Sequence, residues 1–179
     1  MSEQQFSIEE FEKKYVARLE DRKLDWGVLS FQEEIDPRYK RAQMRYIGRG
    51  ATANKDANVI EAENFTLSTM VLPAGCIGPL HLHSDVEEVF FVLKGKLTAL
   101  LQHEGNDYEI KLNERDCISC PPGYYRGIRN DGDEDAMMLV MLGAPKPQLP
   151  TYPEGTPLEE MRLKRAKERD AIIQQADNK

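Results

Sequence analysis

From Glu63 to Gly143 the chain is a succession of short apolar runs, FTLSTMVL, EVFFVL, KLTALLQ, DYEIKL, DCISC and AMMLVML, cut at near-even intervals by Gly, Pro, Asn and Asp. β-Branched and aromatic residues suit a pleated, half-buried surface, and the residues between the runs suit turns. So many closely spaced strands leave few architectures: an all-β domain, built as a small antiparallel barrel or jelly roll. At 179 residues the protein has room for one such domain with a core of its own.

The flanks read differently. SIEEFEKKYVARLE opens with Ser7 as N-cap, Glu10 at the reciprocal capping-box position and Phe6 placed to staple onto Phe11. Ile8, Phe11, Tyr15 and Leu19 follow at helical spacing and predict an amphipathic helix laid on the domain. Asp36-Pro37 breaks the pattern, and Met44, Tyr46 and Ile47 suggest a short strand before a turn region from Gly48 to Asn58. After the Pro-rich APKPQLPTYPEGTP a last helix is expected, with Thr156 as N-cap, Pro157 at its first position and Glu159 completing a capping box. It is charged and should pack through Leu158, Met161, Leu163 and Ile172. The expected organisation is a helical extension over 1–35, a β-barrel over 36–150 and a second helical extension over 151–179.

Charge and composition narrow the function. The 24 Lys and Arg against 31 Asp and Glu leave a net charge of −7, which would repel a phosphate backbone and argues against nucleic acid as a partner. No apolar stretch approaches a membrane span, and MSEQQFSIEE lacks the basic and apolar segments of a signal peptide, so a cytoplasmic protein is expected. Cys76, Cys117 and Cys120 are odd in number, which argues against a disulfide framework. Cys117 and Cys120 are spaced like a redox or zinc pair, but on a strand residues three apart face opposite sides, so ordinary packing is expected.

Chemistry concentrates in GCIGPLHLHSDVEEVFFVLKG. His81 and His83 lie two apart, so on a strand both rings leave the same face. If the chain turns after Ser84, Glu88 on the returning strand can point into the same interior. Two imidazoles and a carboxylate form the facial triad of non-haem Fe(II) sites, a set that also suits Mn2+, Ni2+ or Zn2+. His103 sits beside the EGND turn and is expected at the surface.

This stretch resembles the first signature motif of the cupin superfamily: Gly75, five residues, His81, one residue, His83, four residues, Glu88, six residues, Gly95. The resemblance implies that His81, His83 and Glu88 are metal ligands on adjacent strands and that Gly95 makes the turn that follows. The second motif appears in RDCISCPPGYYRGIRN, where Pro121, Gly123 and Asn130 hold their places. Arg115 replaces its opening glycine, and Arg126 stands where the family has a fourth, histidine ligand.

A guanidinium cannot ligate a metal. Unit like charges about 4 Å apart repel by roughly 4 kcal/mol at an effective dielectric of about 20, and a dication sharpens the conflict. Three resolutions stand open: an anionic ligand bridging Arg126 and the metal, an Arg126–Glu88 pair that replaces the metal, or Arg126 turned to solvent. Phe90 and Val92 share the alternation of Glu88, and the resemblance places Tyr124, Tyr125, Met137 and Met138 on strands around the cavity, so these six are the candidate pocket wall.

Together these readings predict a metal-dependent enzyme acting on a carboxylate-bearing small molecule, dioxygenase-like, with a divalent metal on His81, His83 and Glu88. Arg126 would orient the carboxylate and Tyr124 or Tyr125 would supply a hydroxyl for proton transfer. The alternatives are a metal-free small-anion-binding or structural cupin, and a metal-dependent isomerase, decarboxylase or lyase. The resemblance also implies a homodimer, for which the strand around Met44 to Ile47 offers an edge.

Overall fold

The computed structural model describes residues 7–48 and 59–177, with side chains to residue 169. Nine strands form two antiparallel sheets: β1 (Ala42–Ile47), β2 (Thr66–Leu72), β3 (Ile77–His81), β4 (Glu88–Lys94), β5 (Leu97–His103), β6 (Asn106–Leu112), β7 (Cys117–Cys120), β8 (Tyr125–Arg129) and β9 (Ala136–Leu142). One sheet runs β1-β2-β9-β4-β7, the other β3-β8-β5-β6. This is the expected all-β jelly-roll barrel. Each run read as a strand is one, and β8 is an additional strand.

Alternation builds the core. Glu88, Phe90 and Val92 of β4 point inward, as do Ala136, Met138 and Val140 of β9, while their neighbours are more exposed. Leu97 and Ala99 of β5 and Ile128 of β8 meet them from the opposite sheet. Each fully buried apolar side chain of this size contributes about 1.5–3 kcal/mol, whereas a polar group on this inward face costs free energy unless it finds a partner. Gly95 ends β4 with φ +81° and makes the expected turn. Arg115, where the motif has glycine, holds φ +70° in the turn between β6 and β7. Cys117 is exposed and Cys120 buried, on opposite faces of β7, and all three cysteines are free.

The extensions depart from expectation. α1 (Ile8–Tyr15) is capped by Ser7, whose Oγ accepts from the Glu10 amide at 3.3 Å. The Ser7 hydroxyl donates to Glu9 at 2.9 Å, and the Glu10 carboxylate makes no reciprocal hydrogen bond to the Ser7 amide among the described residues. The Phe6 staple lies outside the described residues, as do residues 49–58 of the expected turn. The helix ends at Val16, Leu19 falls in a separate 3-10 turn (Leu19–Asp21), and the apolar stripe is not buried: Phe11 is 45% and Leu19 67% exposed. Phe11 and Tyr15 instead pack on each other, ring centroids 4.9 Å apart.

A four-residue helix, α2 (Ser30–Glu33), and a 3-10 turn (Pro37–Tyr39) lead into β1. β1 is the edge strand that the sequence suggested, but its outer rim is partly filled by its own chain: Gln43 exchanges backbone hydrogen bonds with Asp25, and Ile60 donates to the Tyr46 carbonyl. At the other end, α3 (Pro157–Asp177) starts with Thr156 Oγ1 accepting from the Glu159 amide at 3.3 Å. Glu159 spends its carboxylate on the Tyr152 amide and on Arg162, not on Thr156. Leu158 is buried and Met161 half-buried, whereas Leu163 is exposed; Ile172 lies outside the described side chains. No helix among the described residues is long and apolar enough to cross a membrane.

Candidate metal centre

β3 carries His81 at its end, and the chain stays extended through a bridge between Leu82 and Thr151, so His83 follows on the same face. Glu88 opens β4 with its side chain inward. The ligand atoms of His81, His83 and Glu88 all lie within 4.8 Å of one another. The expected constellation forms, with one correction: β3 and β4 are not neighbours. β3 pairs with β8 and β4 with β9 and β7, so the histidines and the glutamate face each other from opposite sheets across the interior.

Protonation follows from the contacts. His81 Nδ1 lies 2.9 Å from the Pro79 carbonyl, which only accepts, so Nδ1 carries a proton. A neutral His81 would then turn the bare lone pair of Nε2 toward Glu88 Oε2, 2.9 Å away. Something positive must lie between them, either a proton or a metal cation. His83 is buried, makes no side-chain hydrogen bond among the described residues, and its Nδ1 is sealed from solvent without a partner. Burial pushes its imidazole down to about 4, so it is neutral at pH 7. Burial alone would raise the Glu88 carboxyl, but the charge and hydrogen bond of His81, with Arg126, hold it at about 2.

Arg126 is fully buried and faces His81 across the β3–β8 ladder. Its Nε donates to Glu88 Oε2 at 2.9 Å and its Nη1 to the Tyr124 carbonyl at 2.9 Å, while Nη2 is buried without a partner. Arg126 thus contacts Glu88, and the solvent-facing resolution is excluded. Because His81 and Arg126 share Oε2, Glu88 Oε1 takes no hydrogen bond from any described residue.

A cavity of about 840 Å³ reaches His81, His83 and Glu88, with Phe90 and Met138 in its apolar wall as expected. Several expected wall residues are elsewhere. Val92 and Met137 do not line it. Tyr124 stacks on His103 at 4.1 Å, and the Tyr125 hydroxyl donates to the Tyr152 carbonyl at 3.3 Å, so neither hydroxyl faces the cavity. Arg126 does not line it either. Sequence reasoning missed Gln32, Arg41 and Tyr152, which do, from before and after the run of strands. Their only sequence signal was a polar residue in an otherwise unassigned segment.

The donor set fits a divalent metal ion: two imidazoles, one locked by a backbone carbonyl and one buried without a partner, beside an ionised carboxylate. Residues 68–142 also match the family model of the cupin domain.

The barrel is a cupin domain.

A germin-like protein of Arabidopsis thaliana, subfamily 3 member 3, is 30% identical to this cupin over 89 residues, 49% of the chain and 42% of the relative. The chain thus spans about two fifths of the length of the curated relative that it matches. Oxalate decarboxylase from Bacillus subtilis, in its pH 4.6 structure, superimposes with a TM-score of 0.51 at 14% identity. That match covers 63% of this chain and 28% of the decarboxylase. At such identity the likeness speaks to the fold, and the chemistry has to come from the cupin's own residues.

Proposed function

We propose that this cupin is a divalent-metal enzyme that acts on a small organic acid, with dioxygenase-like chemistry. The observation that carries the reading is that the imidazoles of His81 and His83 and the carboxylate of Glu88 converge at a cavity large enough for a small molecule. An ion held by these three residues supplies Lewis acidity and, where it is iron, an electron for dioxygen. Arg126 is a positioning residue in this scheme. It fixes the Glu88 carboxylate through Oε2, while the Pro79 carbonyl fixes the ring plane of His81. Five arginines against two carboxylates line the cavity, which favours an anionic substrate in a protein of net negative charge.

The Arg126–Glu88 contact also favours a second reading, a metal-free cupin that binds small anions, because it gives Glu88 a counter-charge without any ion. Elemental analysis of protein purified without chelator separates the two. Near-stoichiometric iron, manganese or nickel, lost in His81→Ala, supports the enzyme. Protein that is metal-free and refuses added Fe2+, Mn2+, Ni2+ and Zn2+ sinks it. Oxygen uptake with carboxylate substrates then divides dioxygenase chemistry from an isomerase, decarboxylase or lyase on the same ligands.

A further inference from the structure

Arg41 is buried, 6% exposed, yet no carboxylate among the described residues contacts it. Its Nη1 donates to the Tyr39 carbonyl at 2.9 Å and its Nη2 to Gln32 Oε1 at 2.5 Å, both neutral acceptors. Its Nε makes no hydrogen bond among the described residues. Burial pushes the guanidinium down to about 10, and the more distant charges of Glu88 and Glu33 offset only part of that effect. Gln32 Nε2 donates to the hydroxyl of Tyr152 at 2.8 Å, which fills an acceptor site on that oxygen and leaves the phenolic proton to be given elsewhere. Arg41, Gln32 and Tyr152 all line the cavity that reaches the metal centre.

A buried guanidinium without a counter-ion is costly, and the economical partner is one that binds from the cavity side. A guanidinium N–H and a phenolic O–H that border one cavity match the two oxygens of a carboxylate. We infer that Arg41, Gln32 and Tyr152 form a carboxylate-binding subsite, and that the ligand is a monocarboxylic acid with an apolar body. Phe90, Met138 and Val140 supply the apolar wall along which that body lies. Arg41 Nε sits beside Gly78, 3.9 Å from where a Cβ would stand, three residues before His81 on the same strand. β3 bulges between Gly78 and His81, which pair with Ile128 and Arg126, only two residues apart on β8, so the span is roughly 7 Å and a ring or branched chain covers more of it than a two-carbon acid does. The assignment rests on the enzyme reading only for which end of the ligand faces the metal ligands; the subsite itself needs no metal.

Calorimetric titration of the purified protein with benzoate and with its neutral analogue benzamide tests the subsite, with metal content measured on the same samples. Benzoate should bind at least about tenfold more tightly than benzamide, and Arg41→Gln should remove that preference while retaining the wild-type metal content. Tyr152→Phe should weaken benzoate and leave benzamide unchanged. Equal affinities for the two probes in the wild type, no benzoate binding at millimolar concentration, or full benzoate affinity in folded Arg41→Gln would each overturn the inference. The comparison of probes on the wild type stands even if a variant fails to fold. Benzoate preference in a protein that holds no metal would refute the enzyme reading and leave the subsite intact; metal without benzoate binding would do the reverse.

Discussion

Arg126 reaches from one sheet to the other to donate its Nε to Glu88 Oε2 at 2.9 Å, and no part of Arg126 is open to solvent. The pair joins β8 to β4, strands that share no backbone ladder. It therefore ties the two faces of the barrel at the level of the candidate metal ligands. The same oxygen also meets His81, so one carboxylate answers a guanidinium and an imidazole at once. This arrangement explains how an arginine is accommodated at a position where the cupin motif carries a histidine.

Breaking a buried pair strands the remaining charge, which costs roughly 3–5 kcal/mol. Arg126→Met should lower stability by that order in chelator-treated protein, measured by urea unfolding, with part of the loss restored by a divalent metal that gives Glu88 a new partner. Arg126→His is the sharper variant. It places an imidazole directly opposite His81 in the β3–β8 register, and metal affinity should rise. A variant that binds metal no better than the wild type would show that the backbone at residue 126 does not aim a side chain at the ligand set.

The site also predicts an acid response in two steps. The His83 imidazole, held neutral by burial at about 4 against an ordinary 6.5, refuses a proton that the unfolded chain accepts between those values. The unfolded state binds more protons there, so stability falls as the pH drops from about 6.5 to 4, by on the order of 3 kcal/mol. Glu88 acts lower: its depressed carboxyl contributes stability that is present above about 4.5 and lost as the pH falls toward 2. Urea unfolding with chelator across this range should show the first step vanish in His83→Phe. An unaltered slope between pH 6.5 and 4 would assign the acid sensitivity to other groups.

What was legible in the sequence was what is local. Alternation along EVFFVL placed Phe90 and Val92 on the inward face with Glu88, and the fixed spacing from Gly75 to Gly95 brought His81, His83 and Glu88 together. Which strand lies beside which was not local, and Glu88 faces the histidines across the barrel, not along one sheet. β8 does not stand out by composition, because YRGIR carries two arginines and a glycine, although Arg126, Gly127 and Ile128 are all buried. The stripe of Ile8, Phe11 and Tyr15 marks a helix face correctly, but a period cannot say whether anything covers it. Gln32 meets Tyr152 over more than a hundred residues of chain and links it to Arg41, a contact no pattern in either segment announces.

Asn130, a position of the second motif, is buried for a reason that the fold makes plain. Its Nδ2 donates to the carbonyls of Leu72 and Glu134 at 2.9 and 2.8 Å, and its Oδ1 accepts from the Gly132 amide at 2.9 Å. One side chain thus closes the turn after β8 and pins it to the end of β2. Asn130→Ala leaves the buried Leu72 carbonyl unsatisfied and removes two part-buried hydrogen bonds besides, and should destabilise by about 3 kcal/mol. Asn130→Asp keeps the shape but turns donors into acceptors facing two carbonyls, so it should be at least as damaging. Thermal unfolding at neutral pH checks both, and a mild Asp variant would mean that shape, not donor direction, is what the turn requires.

Gly127 links packing to the metal centre. It lies on β8 directly after Arg126, and a Cβ there would stand 2.7 Å from the Gly78 carbonyl oxygen and 3.2 Å from the Pro79 carbonyl carbon on β3. Those are backbone atoms, so a methyl group cannot be absorbed by a rotamer change and the strands must part. Overpacking of this kind costs roughly 1–3 kcal/mol. The Pro79 peptide that must move is also the one whose oxygen holds His81 Nδ1 at 2.9 Å. Displacing such an outer partner typically weakens a metal site by about 10–100-fold. Gly127→Ala should therefore lose both stability and metal affinity, whereas Gly132→Ala, with only the Asn130 side-chain oxygen at 3.2 Å from the added methyl, should lose stability with metal affinity retained. Competition with a chelator in folded protein separates the two effects. Unchanged metal affinity in Gly127→Ala would mean that the His81 ring is held in place by something other than the Pro79 carbonyl.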